Sequence, residues 1–589
     1  MGNINKRLNL LRTSMKESGI YACIIPTSDP HLSEYIHDCF KYREYFSGFD
    51  GSAGTLFVTL DKAFLITDGR YFLQAEEQLK NTDIKLVRSG VIGEPDLITL
   101  CKDNIPENEK VFIDPSLVSA TFYEKISSDL NKCNVSISST HNPVKNSAKL
   151  PSLEFSNIRE LDLTLSGIDR KEKITSVREK IKEAGAESLV LSALDDIAWL
   201  FNLRGRDVEN TPVFFSFAYV SLSEVFLFVD YDAVKSVEQS LEADKIEVRS
   251  YYEFADFIAS IPEMRIIVDK KTTNSQIVNS LPCSAKIISD LNPIPMLKAL
   301  KNNTEINNMR AAHVSDGIAL LKFMRFIKES DWTSLTETEA SDKLFEYRKQ
   351  EKNFISNSFD TISAYAENAA IIHYSPNENT DKKLEKAAAL LVDSGGQYDG
   401  GTTDVTRMFI LGETSNEFKR DYTLVCKAML RLQYMHFPLG TKGSVLDGVV
   451  REPLWKYGID FMHGTGHGIG YMLSVHEGPN RISFKDTESK ILPRMITSDE
   501  PGIYVDGQYG IRMENALICV EDNENKYGKF CKFEPLTVCP IDLDGIDESL
   551  LTQEDRNNIN DYHQYVREML KPHLSPDDAN YLDRITRQI

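Results

Sequence analysis

Short apolar segments of strand length follow amphipathic helical segments twice in the first half of the chain. The first such helical segment leads into Ile20–Ile25 near the N-terminus. The second is Lys171–Ala184, whose apolar residues recur at helical spacing, and it leads into Ser188–Leu191. Thr55–Thr59 is a further run of strand length. Alternating helices and short strands are typical of α/β folds, and the repeated order indicates a domain type used twice.

The chain has 589 residues, which exceeds one ordinary domain and suits two to four. Polar, proline-containing stretches at Asn142–Pro151 and Asp290–Pro295 predict a linker and a further break. We therefore divide the chain into domains of residues 1–157, 158–299 and 300–589. The third part is richest in Gly, His and acidic motifs, so we expect the chemistry to lie there.

The net charge of −21 narrows the classes of partner, with 67 Lys and Arg against 88 Asp and Glu. Such a chain is poorly suited to neutralise nucleic-acid phosphates or to dock on anionic membranes, so we expect neither partner. No apolar run approaches the roughly 18 residues of a membrane span, and the N-terminus does not resemble a signal peptide. Nine cysteines without a C-x-x-C pair fit reduced thiols, so we expect a cytoplasmic protein.

Four acids and one histidine stand out in the third part of the chain. Asp393 ends an apolar run and Asp404 follows a glycine-rich turn, so a hairpin can bring both carboxylates to one end. His467 lies in HGTGH, Glu500 in DEPG and Glu514 in GIRMEN. Each acid alone is typical of a turn, but together the four carboxylates would offset the charge of two divalent cations. Oxygen ligands with one imidazole favour Mn²⁺, with Co²⁺ or Zn²⁺ as alternatives.

Longer motifs surround these residues, namely VDSGGQYDGGTTDVTR, HGTGHGIG, VHEGP, DEPGIY and GIRMEN, with YFSGFDGSAGTL and TDGRYFLQAEEQL nearer the N-terminus. Together they resemble the creatinase, prolidase and methionine aminopeptidase family, whose catalytic domain has the α/β "pita-bread" fold. Within the family, the chain is most similar to the long, three-domain Xaa-Pro aminopeptidases. The resemblance covers nearly the whole chain. It implies two creatinase-like α/β domains followed by a pita-bread catalytic domain with a C-terminal extension.

The resemblance also implies roles for the five residues. Asp404 and Glu514 match ligands that bridge two metal ions, Asp393 matches one that completes the first site, and His467 and Glu500 match those that complete the second. The implied activity is hydrolysis of the N-terminal Xaa-Pro bond of peptides by a hydroxide between the ions, with Glu500 as the proton shuttle. The expected substrates are peptides with proline in the second position, and the expected assembly is a homodimer.

Further residues match the family near the substrate. His373, in IIHYSPNENT, matches a histidine that steadies the substrate carbonyl, and His476, in VHEGP, one that contacts this carbonyl or relays a proton. His463 matches one that lines the proline pocket. Each of these histidines could instead be structural. Tyr504 and Arg512 match positions near the proline ring, although Arg512 could instead orient the neighbouring carboxylates.

Several alternatives stay open from the sequence. Arg70 could reach the substrate or a second subunit, or form a surface salt bridge. A prolidase, which cuts Xaa-Pro dipeptides, shares the same metal ligands, and a non-catalytic binding module can share the same fold. A methionine aminopeptidase is disfavoured because it has no place for two long N-terminal domains. Helical spacing in Leu550–Leu570 predicts a C-terminal helix that packs on the catalytic domain or on a second subunit.

Overall fold

The computed structural model describes residues 3–289, 291–332, 334–376, 380–485 and 488–589. Asp290, the first residue of the predicted second break, and residues 377–379 of the IIHYSPNENT motif lie outside this part of the chain. The chain divides into two compact units. The first comprises Met1–Leu161 and Ile168–Ile294, and the second comprises Asp162–Gly167 and Pro295–Ile589.

The first unit begins with a six-stranded sheet flanked by helices. Its strand order is β4-β3-β2-β1-β5-β6, with β1 antiparallel to β2 and parallel to β5. Alternate residues of β1 enter two different apolar clusters, Cys23 and Ile25 on one face and Ala22 and Ile24 on the other, so both faces of the sheet are buried. The strands are β1 Ala22–Pro26, β2 Thr55–Thr59, β3 Ala63–Thr67, β4 Ile84–Arg88, β5 Lys110–Ile113 and β6 Ser136–Ser138; the helices are α1 Ile4–Glu17, α2 Tyr42–Ser47, α3 Phe72–Gln78, α4 Leu97–Asn104, α5 Ala120–Asn131 and α6 Pro143–Ser147.

A second six-stranded sheet in the same unit repeats this design. Its order is β12-β11-β10-β8-β13-β14, and its strands run in the same relative directions as those of the first sheet. The prediction of a domain type used twice is therefore confirmed. The boundaries after residues 157 and 299 stay a prediction. The strands of this sheet are β8 Ser188–Leu191, β10 Phe217–Ser221, β11 Val225–Val229, β12 Glu247–Ser250, β13 Arg265–Ile267 and β14 Lys286–Ile288; β7 Arg159–Glu160 and β9 Leu203–Arg204 form a separate antiparallel pair; the helices are α8 Arg170–Glu183, α9 Leu194–Phe201, α10 Glu238–Ala243, α11 Phe254–Ser260 and α12 Ser275–Ser280.

The predicted linker at Asn142–Pro151 is wrong in its first half. Pro143 starts helix α6, and Asn142 caps it by accepting a hydrogen bond from the Lys145 amide at 2.8 Å. Pro143 and Val144 are buried, and α6 packs against α1. Proline at the start of a helix following an Asn cap therefore accounts for a pattern that we interpreted as a linker.

The second unit has long helices around two main sheets that meet at the candidate site. One sheet has the order β16-β17-β20 and the other β21-β28-β27-β24-β22-β23, while β15-β18-β19 and the hairpin β25-β26 extend them. The strands are β15 Phe354–Asn357, β16 Ile362–Tyr365, β17 Ala389–Ser394, β18 Gly396–Tyr398, β19 Gly401–Thr402, β20 Val405–Ile410, β21 His436–Pro438, β22 Gly466–Gly468, β23 Glu477–Ile482, β24 Ile496–Asp499, β25 Gly502–Val505, β26 Tyr509–Arg512, β27 Asn515–Asn525 and β28 Gly528–Pro535; the helices are α7 Leu163–Ser166, α13 Ile294–Ala299, α14 Asn303–Glu329, α15 Glu337–Arg348, α16 Asn416–Gln433, α17 Gly443–Trp455, α18 Gln553–Leu570 and α19 Pro576–Ile585.

The C-terminal helix predicted in Leu550–Leu570 is present as α18. Its buried face includes Tyr562, Val566 and Leu570, and it packs against α14 and α16 of the same unit. The core of the unit is one large apolar cluster that these helices share with the sheets. Among the described helices, none is both long enough and apolar enough to cross a membrane.

Candidate metal centre

The five predicted metal ligands come from the two main sheets of the second unit. Asp393 lies in β17 and Asp404 directly precedes β20, the strand that pairs with β17. His467 is the central residue of β22, Glu500 follows β24, and Glu514 lies between β26 and β27. The first sheet therefore contributes two aspartates, and the second contributes the histidine and both glutamates.

Strand register places Glu500 and Glu514 opposite each other. In the pair β24–β27, Asp499 faces Asn515, and in the hairpin β25–β26, Gly502 faces Arg512. Both pairings belong to one antiparallel register, so the residues between them, Glu500 and Glu514, are cross-strand neighbours. The regular strand pairing is interrupted at these two residues, and both of their carboxylates belong to the candidate site.

The side chains of the ligand set approach one another closely. The His467 Nε2 atom lies 3.5 Å from Asp404 Oδ2 and 3.6 Å from Glu500 Oε1. One ligand atom each from Asp404, His467 and Glu514 lie within 4.8 Å of one another. Asp404 and Glu514 are almost fully buried. Several acids and a histidine concentrated at this spacing match a site for divalent cations.

Hydrogen bonds orient His467 and Glu514 so that each keeps one atom available to bind a metal. His467 Nδ1 lies 3.0 Å from the carbonyl oxygen of Gly468, which can only accept, so Nδ1 carries the hydrogen and Nε2 keeps its lone pair for a metal. Thr406 Oγ1 donates to Glu514 Oε2 at 2.9 Å. The other oxygen of that carboxylate, Oε1, and Asp393 Oδ1 are buried and accept no hydrogen bond from the described residues. Buried carboxylate oxygens left in this state fit metal ligation.

Three of the closely spaced acids of the site have pKa values above their ordinary range. Burial, with repulsion from Glu514 and Asp393, raises the pKa of Asp404 and of Glu500 well above the ordinary range. Burial and the charge of Asp393 raise the pKa of Glu514 to about 7. In the absence of cations, such a cluster binds protons more readily than isolated carboxylates do. Bound divalent ions would replace those protons, so the residues present fit the metals that the sequence predicts.

Arg512 connects the ligand Asp393 to the predicted substrate residues. Its Nη2 and Nε atoms donate to Asp393 Oδ2 at 2.6 and 3.2 Å, and its Nη1 atom donates to the Tyr504 hydroxyl at 2.9 Å. His463 Nε2 lies 2.8 Å from the same hydroxyl, while His463 Nδ1 faces the Gly464 carbonyl. The pKa of Tyr504 is raised to about 12 by burial, so its hydroxyl stays protonated and can donate to His463. These three residues form one hydrogen-bonded chain that ends at Asp393, a predicted metal ligand.

The remaining predicted residues differ in their position. His476 is exposed and packs edge-on against His467, with ring centroids 4.2 Å apart. His373 is half-buried after the turn Ala366–Ala370. Arg70 belongs to the first unit, where it makes a two-pronged salt bridge with Asp68 at 2.7 and 2.8 Å. A salt bridge was one of the interpretations left open for Arg70.

Two contacts of the site were not singled out from the sequence. Thr406 lies in the motif segment DVTR, and its hydroxyl donates a hydrogen bond to Glu514. The motif was therefore a signal from which Thr406 could have been identified. Lys301 pairs with Glu477, the residue after His476, and also donates to the Lys298 carbonyl at 2.8 Å. Both Lys301 and Glu477 are buried. They are 176 positions apart in the sequence, so no local pattern could have joined them.

Comparison with known proteins agrees with this geometry. The chain is 37% identical to Xaa-Pro aminopeptidase 1 of Dictyostelium discoideum over 97% of its own length and 93% of the relative. Residues 307–521 match the model of metallopeptidase family M24, and residues 529–589 match the C-terminal region of that peptidase. The chain belongs to metallopeptidase family M24. The family resemblance that we inferred from the motifs is therefore confirmed.

Further comparisons also cover the N-terminal half of this M24 chain. Residues 7–146 and 149–305 each match a creatinase/prolidase N-terminal domain. Aminopeptidase P2 of Arabidopsis thaliana is 38% identical over 97% of this chain and 86% of the relative. A solved structure described as an X-prolyl aminopeptidase of Caenorhabditis elegans, a cytosolic enzyme with a di-nuclear active site, is 30% identical and covers 100% of both chains with a TM-score of 0.95. The predicted fold class, two creatinase-like α/β domains before a pita-bread domain, is confirmed.

Proposed function

We propose that this chain is a metal-dependent aminopeptidase that hydrolyses the N-terminal Xaa-Pro bond of peptides. The observation that carries the proposal is the convergence of Asp404, His467 and Glu514 on one buried site, with Glu500 3.6 Å from the histidine. Membership of family M24 and full-length similarity to Xaa-Pro aminopeptidases support the same activity.

Two divalent ions are the proposed cofactor. Asp404 and Glu514 would bridge the ions, Asp393 would complete one site, and His467 and Glu500 would complete the other. Four carboxylates with one imidazole favour Mn²⁺, and Co²⁺ or Zn²⁺ are alternatives. When bound, the ions supply Lewis acidity that polarises the scissile carbonyl and acidifies the attacking water. The related C. elegans structure, described as di-nuclear, supports the number of ions.

Glu500 is the proposed proton carrier. Its Oε1 atom lies 3.6 Å from His467 Nε2, so its carboxylate belongs to the cluster at which hydrolysis would occur, and it is the group that we assign to take and return the proton. The leaving nitrogen of an Xaa-Pro bond belongs to the proline ring and has no hydrogen, so it must receive a proton when the bond breaks. His476, whose ring packs against that of His467, is our first candidate to contact the carbonyl, and we keep His373 as a second candidate for that role.

Recognition of proline is assigned to the chain His463–Tyr504–Arg512. The phenol ring of Tyr504 and the imidazole of His463 lie at 68° to each other with centroids 5.5 Å apart, and the hydroxyl between them is held by Arg512. Rings fixed in this way can form one side of a pocket for a rigid apolar ring. Arg512 would also hold Asp393 in position for its metal.

The test is a peptide panel after metal loading. Arg-Pro-Pro should release arginine with Mn²⁺, Co²⁺ or Zn²⁺, and Arg-Ala-Pro should be a poor substrate. Glu500→Gln should lower kcat by at least about 100-fold because it keeps the shape of the side chain and cannot carry the proton. Glu548→Gln, at an exposed glutamate of the same unit, is the matched control and should act like the wild type. Absence of arginine release with all three metals would refute the proposal.

Two rival functions are separated by the same panel. A prolidase would cleave Arg-Pro and leave Arg-Pro-Pro intact, which is the reverse of our expectation. A non-catalytic binding module would cleave neither peptide, yet the complete set of five candidate ligands disfavours it. We keep the aminopeptidase because the chain matches such enzymes along nearly its whole length.

We also propose a cytoplasmic location and a homodimer. All nine cysteines lie in the described part of the chain and are free thiols, which suits a reducing compartment. The homodimer rests on the family resemblance. Light scattering on the purified protein should give twice the 66.7 kDa mass of one chain, and fluorescence microscopy of a tagged copy should place it in the cytoplasm.

A further inference from the structure

We propose that the C-terminal helix α18 positions the metal ligand Glu514, acting through Tyr562 and Arg407. The inference rests on the proposed function, because it concerns the same metal centre. It assigns a role to the C-terminal extension, which contains none of the five ligands. Tyr562 and Arg407 are positioning residues, since neither side chain belongs to the ligand set.

Arg407 is a buried cation held entirely by neutral oxygens. The residue is 2% exposed, and its five N–H groups lie within hydrogen-bond distance of six neutral oxygens, three of which surround Nη2. Its Nη1 atom donates to the backbone carbonyl of Glu514 at 2.6 Å and to that of Thr406 at 2.9 Å. A guanidinium bonded at every nitrogen has one orientation, so it fixes the backbone on either side of it. The other partners are Asn515 Oδ1 at 2.7 Å, the carbonyls of Cys539 at 2.8 Å and Pro540 at 3.1 Å, and the Tyr562 hydroxyl at 2.7 Å.

The adjacent residues Thr406 and Arg407 hold Glu514 at three of its four polar atoms. The Glu514 amide donates to the Thr406 carbonyl at 3.1 Å, the Glu514 carbonyl accepts from Arg407, and Glu514 Oε2 accepts from Thr406 Oγ1. The fourth atom, Oε1, is buried and accepts no hydrogen bond from the described residues. The direction of that oxygen is therefore set by β20, the strand that begins immediately after the ligand Asp404.

Tyr562 connects this arrangement to helix α18. It is fully buried, and its hydroxyl accepts from Arg407 Nη2. The same hydroxyl lies 2.9 Å from the Cys539 carbonyl and 3.2 Å from both the Thr537 carbonyl and Asn515 Oδ1, and it donates to one of these three oxygens. The next residue, His563, accepts a hydrogen bond from the Ile541 amide at 3.1 Å. Helix α18 thus fastens the segment 537–541 and, through Arg407, the backbone of a metal ligand.

Loss of the Tyr562 hydroxyl should therefore weaken metal binding. Tyr562→Phe keeps the ring and removes the one oxygen of helix α18 among the three around Arg407 Nη2, so Asn515 Oδ1 and the Cys539 carbonyl alone orient that end of the guanidinium. Groups that orient metal ligands commonly change metal affinity by about 10- to 100-fold, and we expect a loss of about 10-fold for at least one of the two ions.

The experiment compares two Tyr→Phe variants on the same helix. Tyr565 is the matched control, since its hydroxyl donates to the Pro535 carbonyl at 2.9 Å and lies outside the Arg407 network. Mn²⁺ affinity and stoichiometry are measured by chelator competition on the full chain, and thermal unfolding of each metal-free variant checks its folding. We expect weaker Mn²⁺ binding for Tyr562→Phe and wild-type binding for Tyr565→Phe. Wild-type binding by Tyr562→Phe, or equal losses in both variants, would overturn the inference.

Two further readouts keep the inference testable if Tyr562→Phe is unstable. Arg407→Lys keeps the charge but cannot reach all six acceptors, so it should lower Mn²⁺ affinity as Tyr562→Phe does. The double variant should bind about as weakly as Arg407→Lys alone, because both changes break one network; additive losses would refute it. Metal affinity is measured without a peptide, so it separates the two proposals. Failure of the wild type to bind two ions would count against the proposed function. Wild-type metal binding by the variants would count only against the positioning role of Tyr562 and Arg407.

Discussion

Loading the metal centre should release protons. Burial raises the pKa of Asp404, Glu500 and Glu514, and repulsion between the acids adds to the effect. Glu514 reaches a pKa of about 7. The metal-free cluster therefore carries protons in the range where its isolated acids would be ionised. A divalent ion must displace those protons, so metal affinity should fall as the pH falls.

The magnitude follows from Glu514 alone as a lower limit. With a pKa of about 7, its ionised fraction is about one half at pH 7 and about one tenth at pH 6. Metal binding at pH 7 should then release at least about half a proton. The affinity should fall about fivefold from pH 7 to pH 6, which corresponds to about 1 kcal/mol. The raised pKa values of Asp404 and Glu500 act in the same direction and make the dependence steeper.

Titration calorimetry of Mn²⁺ into the metal-free protein measures this exchange. Repeating the titration in buffers of different ionisation enthalpy gives the number of protons released at each pH. Glu514→Gln should release fewer protons than the wild type. Glu548→Gln is the control, because Glu548 is an exposed glutamate that is not among the proposed ligands. A metal affinity that stays constant from pH 6 to pH 8, with no proton released, would refute the argument.

Three further predictions concern single features of the second unit. Arg512→Lys should lower kcat/KM for Arg-Pro-Pro by about 10- to 100-fold, because lysine cannot hold both Asp393 and Tyr504; an unchanged value would contradict the positioning role. Removal of metal should lower the melting temperature measured by scanning fluorimetry, since ligand at 100 times its Kd adds about 2.7 kcal/mol to the stability of the folded state. His563 has a pKa of about 3 because it is buried, so stability should be complete above its unfolded pKa of 6.5 and should decline below it. Urea unfolding should show a loss of about 2 kcal/mol from pH 7 to pH 5 that His563→Gln lacks, and equal losses in both proteins would contradict this reasoning.

Regular elements were predictable where one local pattern determines them. The runs Thr55–Thr59 and Ser188–Leu191 are strands β2 and β8 with the same bounds, because short buried strands are apolar along their whole length. The C-terminal helix α18 followed from apolar residues at helical spacing. The predicted linker failed over Pro143–Ser147, its first half, because proline and Asn also begin helices.

The candidate site was predictable where the chemistry of a side chain itself indicates metal binding. Carboxylates and histidines that bind metals lie within short motifs, so Asp393, Asp404, His467, Glu500 and Glu514 could be named from the sequence. Their roles as ligands stay a proposal. Hydrogen bonds to backbone carbonyls cannot be predicted from a motif, because every residue type has a backbone carbonyl. Arg407 donates to four carbonyls, and its sequence pattern predicts none of them.

The division of the ligands between two sheets explains why backbone contacts matter at this site. Asp393 and Asp404 belong to the sheet β16-β17-β20, while His467, Glu500 and Glu514 belong to the sheet that contains β22, β24 and β27. A small displacement of one sheet against the other would change every distance between these two groups of proposed ligands. The amide of Glu514 and the guanidinium of Arg407 join the edge of the first sheet to the start of β27. A metal centre assembled in this way would depend on this junction as well as on its ligands, and the Tyr562 hydroxyl of helix α18 accepts a hydrogen bond from the guanidinium that forms the junction.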